Sequence, residues 1–237
     1  MYAKFNNGPW FSFKLVPSIA SVLILFLVAT SFYQYTKGLK EKQTGFSKKI
    51  INEYMSLPKL APFLFDSPYF LSEFVSDPNA KVKISIFSDF QCPHCKRVAE
   101  EMELVIRRFK NQIAINYYFF PLDSTCNPQI STAMHPFACR AAMIAACDPK
   151  KFAVLHDEVF KNQENLNEDY LNQLAQKNGV KDCADKKESY SFIEKTIQQG
   201  VAYNVESTPT MVINGVKIEG AIPTIHLISL IEELLNK

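Results

Sequence analysis

The chain has little net charge, no basic patch interleaved with aromatics, no coiled-coil arm and no second Cys-x-x-Cys pair. Each absence removes a class. The formal balance is +2, and Lys4 and Lys14 are the only charged side chains before residue 32, so the remainder is close to neutral. Nothing in that distribution argues for nucleic acid as a partner. Without a dimerisation arm the expected state is a monomer. Six cysteines and four histidines are donors enough for a zinc site. However, Cys126, Cys139, Cys147 and Cys183 are scattered, without the tight pairing a structural zinc site shows. Glycine is scarce, at seven of 237 residues, and nearly half the residues are apolar. A chain of this size has core enough for one sizeable domain and an inserted subdomain.

What is present centres on Phe87-Ser88-Asp89-Phe90-Gln91-Cys92-Pro93-His94-Cys95. Val82, Ile84 and Ile86 alternate with Lys83 and Ser85, which predicts a strand running into this motif. From Cys95 onward the period changes. Val98, Met102, Val105, Ile106 and Phe109 recur at helical spacing among charged residues, which predicts an amphipathic helix. Cys92 then stands at a helix N-terminus, where unpaired N–H groups and the positive dipole end favour a thiolate. Pro93 suits the first turn, since the N–H it lacks would be orphaned there. Cys95, one turn on, can close a disulfide with Cys92, and His94 can share its proton or charge with the thiolate. A half zinc site and a purely structural disulfide are the bland alternatives for this pair.

Residues 15–33 are almost entirely apolar, about the ~20 residues a bilayer crossing needs. The small residues Ala29-Thr30-Ser31 suit a cleaved signal peptide, whereas Pro17, Tyr33 and Tyr35 suit a retained anchor, the favoured reading. Lys37, Lys40, Lys42, Lys48 and Lys49 put more positive charge after the span than before it. That pattern would hold the downstream part in the cytoplasm, whereas the cysteine usage suits an oxidising compartment. The two indications oppose each other. Residues 36–79 read as a tether followed by a docking segment, helical over Ser47–Leu57 and then broken by Pro58, Pro62, Pro68 and Pro78. Most of it is expected to be a solvated linker.

Ile113, Ile115, Tyr117 and Phe119 predict a second strand, parallel to the first because a helix separates them. Helices follow at Ala138–Cys147, Phe152–Phe160, Asn167–Asn178 and Tyr190–Tyr203. Thr208-Pro209 precedes a strand ending at Ile213. Asn214-Gly215 then predicts a hairpin into Val216–Ile218, and an amphipathic helix closes the chain. The expected class is α/β, with a thioredoxin arrangement at residues 80–125 and 204–237 and a helical domain inserted at 126–203. Residues 1–35 would form a membrane-spanning or signal helix ahead of it.

From Ala80 to Asn236 the chain resembles the DsbA-like thiol-disulfide oxidoreductases of the thioredoxin superfamily. The matching elements are the Phe87–Cys95 motif, Phe120-Pro121-Leu122-Asp123, His135-Pro136-Phe137-Ala138-Cys139, Ser207-Thr208-Pro209-Thr210 and Ile213-Asn214-Gly215. Two of them also resemble DsbA-like domains associated with vitamin K epoxide reductase homologues. The resemblance implies that Cys92 is the nucleophile, Cys95 the resolving thiol, and Pro209 a cis-proline with the Thr208 backbone pairing to the client chain. It implies reduced or misoxidised client proteins as substrates, disulfide donation as the direction, and the bacterial periplasm or another extracytoplasmic face as the place. A separate membrane quinone reductase, of the DsbB or vitamin K epoxide reductase type, would reoxidise the pair. No cofactor or resident metal is expected.

With Cys92 paired to Cys95, the other four cysteines can pair in three ways. Cys126–Cys139 and Cys147–Cys183 are favoured, the first worth ~3 kcal/mol by loop closure. A relay of electrons through Cys126 and Cys139 is the sharper alternative. His135 is expected to be structural, and His156 and His226 to be ordinary surface or boundary residues. A reductase or isomerase of the same fold stays open, as does a copper- or zinc-binding module using Cys92, Cys95 and His94.

Overall fold

In the computed structural model, residues 19–237 are described, without the side chains of residues 19, 20, 187 and 188. The expectations placed on Lys4, Lys14, Pro17 and the start of the apolar run fall outside these residues.

The first element, α1, spans Ile19–Ser56. The chain divides into one unit up to Phe46 and a second from Ser47 to Lys237. In the first unit Val22 to Val28 all face outward, each at least half exposed. An apolar window there has mean hydropathy 1.3 with none of it buried, so the helix is long and apolar enough to cross a membrane.

The second unit is built on four strands in the order β2-β1-β3-β4: β1 (Val82–Ser88), β2 (Ile113–Phe119), β3 (Thr210–Ile213) and β4 (Val216–Glu219). β1 and β2 are parallel, in register from Val82 opposite Ile113 to Ser88 opposite Phe119. Their crossover is α2 (Pro93–Arg108), which buries Cys95, Val98, Met102 and Val105 on one stripe. β3 runs antiparallel to both β1 and β4, and the β3–β4 turn is Asn214-Gly215 with φ of 45° and 87°. Both residues of such a two-residue turn need positive φ, which Asn and Gly tolerate best. The final helix, α8 (Thr224–Asn236), buries Leu227, Leu230 and Ile231 and packs beside α2.

Between β2 and β3 lie five helices: α3 (Ala138–Ala145), α4 (Phe152–Lys161), α5 (Glu168–Lys177), α6 (Lys181–Ala184) and α7 (Lys187–Ala202). The short α6 carries Cys183 and has too few residues for periodicity to reveal it. α7 packs against β2, and Thr196 donates to the Phe119 carbonyl at 2.8 Å. At Gly200 an added Cβ would lie 2.6 Å from the Phe120 ring.

The solvated-linker expectation fails beyond the end of α1. Tyr69, Leu71 and Val75 are buried, and Tyr117 N–H donates to the Tyr69 carbonyl at 2.7 Å while Leu71 N–H donates to Ile115 at 3.3 Å. This stretch forms bridges to β2 at Phe70–Asn116 and Ser76–Ala114, and to β4 at Lys59–Val216. Every residue of the edge strand β2 is therefore buried. Prolines remove regular structure, and here the irregular backbone finds its hydrogen-bond partners on the sheet instead of in water. His156 and His226 also depart from expectation. Both are buried, His156 among the rings of Phe90, Tyr117, Phe152 and Phe160, and His226 with Nδ1 2.8 Å from Ser47 Oγ.

Candidate active site

β1 ends at Ser88, and the four residues to Cys92 turn the chain into α2. Asp89 makes that turn. Its Oδ1 accepts from the amides of Gln91 at 2.6 Å and Cys92 at 3.1 Å, and Oδ2 accepts from Leu122 N–H at 2.6 Å. A buried carboxylate with several N–H donors is a satisfied one, and it joins the motif to the segment leaving β2. The insertion holds the same loop from outside. Gln163 Nε2 donates to the carbonyls of Phe90 at 2.8 Å and Cys92 at 3.0 Å, and Phe137 N–H donates to Gln91 Oε1 at 2.6 Å.

Cys92 occupies the N-cap of α2, with Pro93 as the first helical residue. Both cysteines of the motif are free thiols and nearly buried, Cys92 at 5% and Cys95 at 1% exposure. The Thr208–Pro209 peptide is cis. Cys92 Sγ lies 3.2 Å from the Thr208 carbonyl oxygen, and Cys95 Sγ accepts from Asp89 N–H at 3.5 Å. Residues far apart in the chain thus meet at one sulfur.

The Cys92 thiol is drawn down from an ordinary 9.0 to about 5. The largest cause is the hydrogen bond from Cys95, with burial opposing it; the Thr208 side chain and the amides of Cys95 and His94 add to the lowering. The Thr208 hydroxyl is buried without another hydrogen-bond partner, which leaves it able to donate to an ionised Cys92 sulfur. Cys95 moves the other way. Burial holds its thiol well above the ordinary range, and the neighbouring Cys92 adds to this. The arrangement favours a thiolate at Cys92 and a retained proton at Cys95.

His94 sits differently from the sequence expectation. Its ring is exposed, with Nδ1 3.5 Å from the Arg97 guanidinium, and its backbone amide is what acts on Cys92. His135, read as structural, meets Asp89 Oδ2 at 3.0 Å through Nδ1. The remaining cysteines form two disulfides, Cys126–Cys139 and Cys147–Cys183. Asp123 supports the first: its Oδ2 accepts from Cys139 N–H at 3.2 Å and its Oδ1 from Thr125. Among the described residues, no three His, Cys, Asp or Glu side chains converge so as to hold a metal ion.

A thioredoxin family model matches residues 73–233, more than half of the chain. The chain belongs to the thioredoxin family. No curated protein matches its sequence significantly. Among solved structures, this thioredoxin-family chain is similar to a periplasmic thioredoxin-like protein from Salmonella enterica serovar Typhimurium. That pair is 23% identical over 73% of this chain and 94% of the other, with a TM-score of 0.57. It is also similar to BdbD from Bacillus subtilis, at 20% identity over 69% and 92%, TM-score 0.55. A third neighbour is the thiol-disulfide exchange protein alpha-DsbA2 from Wolbachia pipientis, at 19% identity over 67% and 84%, TM-score 0.52. At these identities the likeness is one of fold, and the fold is DsbA-like. Gln163 and Asp89 left no signal in the spacing, although Asp89 stands where an Asx turn into a helix is common.

Proposed function

We propose that this chain is a thiol-disulfide oxidoreductase that exchanges disulfides with client proteins through Cys92 and Cys95, as a disulfide donor. The observation that carries the reading is the split between the two thiols. Cys92 is stabilised as a thiolate at the N-terminus of α2, beside Thr208, while Cys95 is kept protonated by burial. Stabilising the thiolate stabilises the reduced state, and a pair with a stabilised reduced state is an oxidant. The backbone at Thr208 lies beside the nucleophile and offers an extended client chain a place to pair.

The N-terminal helix acts as a membrane tether, and the domain works on the extracytoplasmic side, where reduced or misoxidised proteins are its substrates. Two disulfides outside the motif support that side, and a neighbour of the same fold is a periplasmic protein. These weigh against the lysines that follow the apolar span. A membrane quinone reductase would return the pair to its disulfide state, and the chain would work as a monomer.

The test is the equilibrium reduction potential of the full chain in detergent, poised in glutathione buffers, with free thiols trapped and located by mass. A value near or above about −180 mV at Cys92 and Cys95 is expected. A value near about −270 mV would make the chain a reductase and remove the donor reading.

A further inference from the structure

The imidazole built into the motif is not the one in the motif's own sequence. His94 faces outward, whereas His135, far along the chain, reaches the carboxylate that shapes the motif loop. Asp89 Oδ1 receives the Cys92 amide, and Asp89 Oδ2 faces His135 Nδ1 at 3.0 Å. The alignment is that of a charge pair more than of a good hydrogen bond. Three fixed points hold His135 there. Its own N–H donates to the Leu122 carbonyl at 3.3 Å, the Cys126–Cys139 disulfide closes its loop, and Phe137 N–H is tied to Gln91.

The charged groups that face His135 are Asp89 after β1, Cys92 at the start of α2 and Asp123 after β2, all of them acidic. They lift the imidazole above its ordinary range, chiefly through the Asp89 contact, with burial opposing. Resting on the reading of Cys92 and Cys95 as the exchanging pair, we propose that His135 is a positioning residue for that pair. Protonated, it neutralises Asp89 and lets Cys92 Sγ carry negative charge. Neutral, it leaves the Asp89 carboxylate opposing the thiolate.

The place of this effect in the exchange follows from the bonds. A client thiolate attacks Cys92 Sγ, the Cys92–Cys95 bond breaks, and Cys95 leaves with the electron pair and takes up a proton. A second client thiolate then attacks the client sulfur of the mixed disulfide, and Cys92 leaves with its electron pair as a thiolate. The client loses two electrons and two protons; one proton rests on Cys95 and the other goes to solvent. His135 acts on the second departure. Coupling between two sites is reciprocal, so the Cys92 thiolate must favour protonated His135 as much as protonated His135 favours the thiolate.

The experiment is a ring-NMR titration of His135 in the full chain, in the dithiol and disulfide states. A higher His135 pKa in the dithiol state is expected. An equal pKa in both states, with Cys92 and Cys95 exchanging normally with glutathione, overturns the proposal. Absence of exchange at that pair would overturn the functional reading instead. His135→Gln, which keeps a donor for Asp89 but no charge, provides the second arm. Near pH 6 its dithiol should be disfavoured against glutathione by about fivefold relative to the parent, a modest charge–charge effect. That difference should vanish as pH rises through the His135 pKa. A difference that persists unchanged at every pH would assign His135 a merely structural role and overturn the proposal.

Discussion

If the Cys92 thiol ionises at about 5 and Cys95 far above it, the reduction potential of the pair must change its pH slope near pH 5. Below that point reduction takes up two electrons and two protons, and the potential falls by about 59 mV per pH unit. Above it Cys92 stays ionised, reduction takes up one proton, and the slope halves to about 30 mV per unit. At pH 7 the dithiol state is favoured by about 100-fold over that of a pair with an ordinary nucleophile. This is about 2.7 kcal/mol and makes the disulfide about 60 mV more oxidising. The sign is that of an acid with a depressed folded-state pKa. The stabilisation is complete above the unfolded pKa and is lost as pH falls through about 5. The assay poises the protein against glutathione at steps from about pH 4 to pH 8 and follows the thiolate by its ultraviolet absorbance. A slope of about 59 mV per unit maintained through pH 8 would refute the thiolate argument, because no proton would have left Cys92 in that range.

Two further outcomes concern stability. Gly200→Ala should destabilise the fold by about 1–2 kcal/mol in urea titration. The added methyl meets the buried Phe120 ring at 2.6 Å, and such overpacking outweighs the helix propensity gained; an increase in the urea midpoint would contradict this packing. Replacing Cys147 and Cys183 together by serine should cost about 4 kcal/mol, since their bridge closes a separation of 36 residues. Calorimetry that found no drop in melting temperature would show that the insertion's helices hold without the staple.

The motif and the sheet were legible because each carries a period. Alternation marks β1 and β2, helical spacing marks α2 and α8, and Asn214-Gly215 marks the hairpin. The class of fold followed from their order. The partners of the motif were not legible, for the opposite reason. Gln163 and His135 reach the motif through contacts that cross from 46 to 73 positions in sequence, and one residue has no period. Proximity in the chain also misled, since His94 lies between the cysteines yet turns its ring to Arg97. Pro58, Pro62, Pro68 and Pro78 were correctly informative about irregular backbone and silent about burial, because a chain without regular structure can still lie against a sheet.

That irregular segment has a consequence for solubility. A four-stranded sheet has two open edges, each a template on which another chain can add a strand, and proteins usually guard them separately. Here one stretch, from Lys59 to Ser76, touches the outer strand on both sides, bridging to β4 at its beginning and to β2 at its end. One continuous segment thus shields both edges, and its removal would leave two sites for strand addition instead of one.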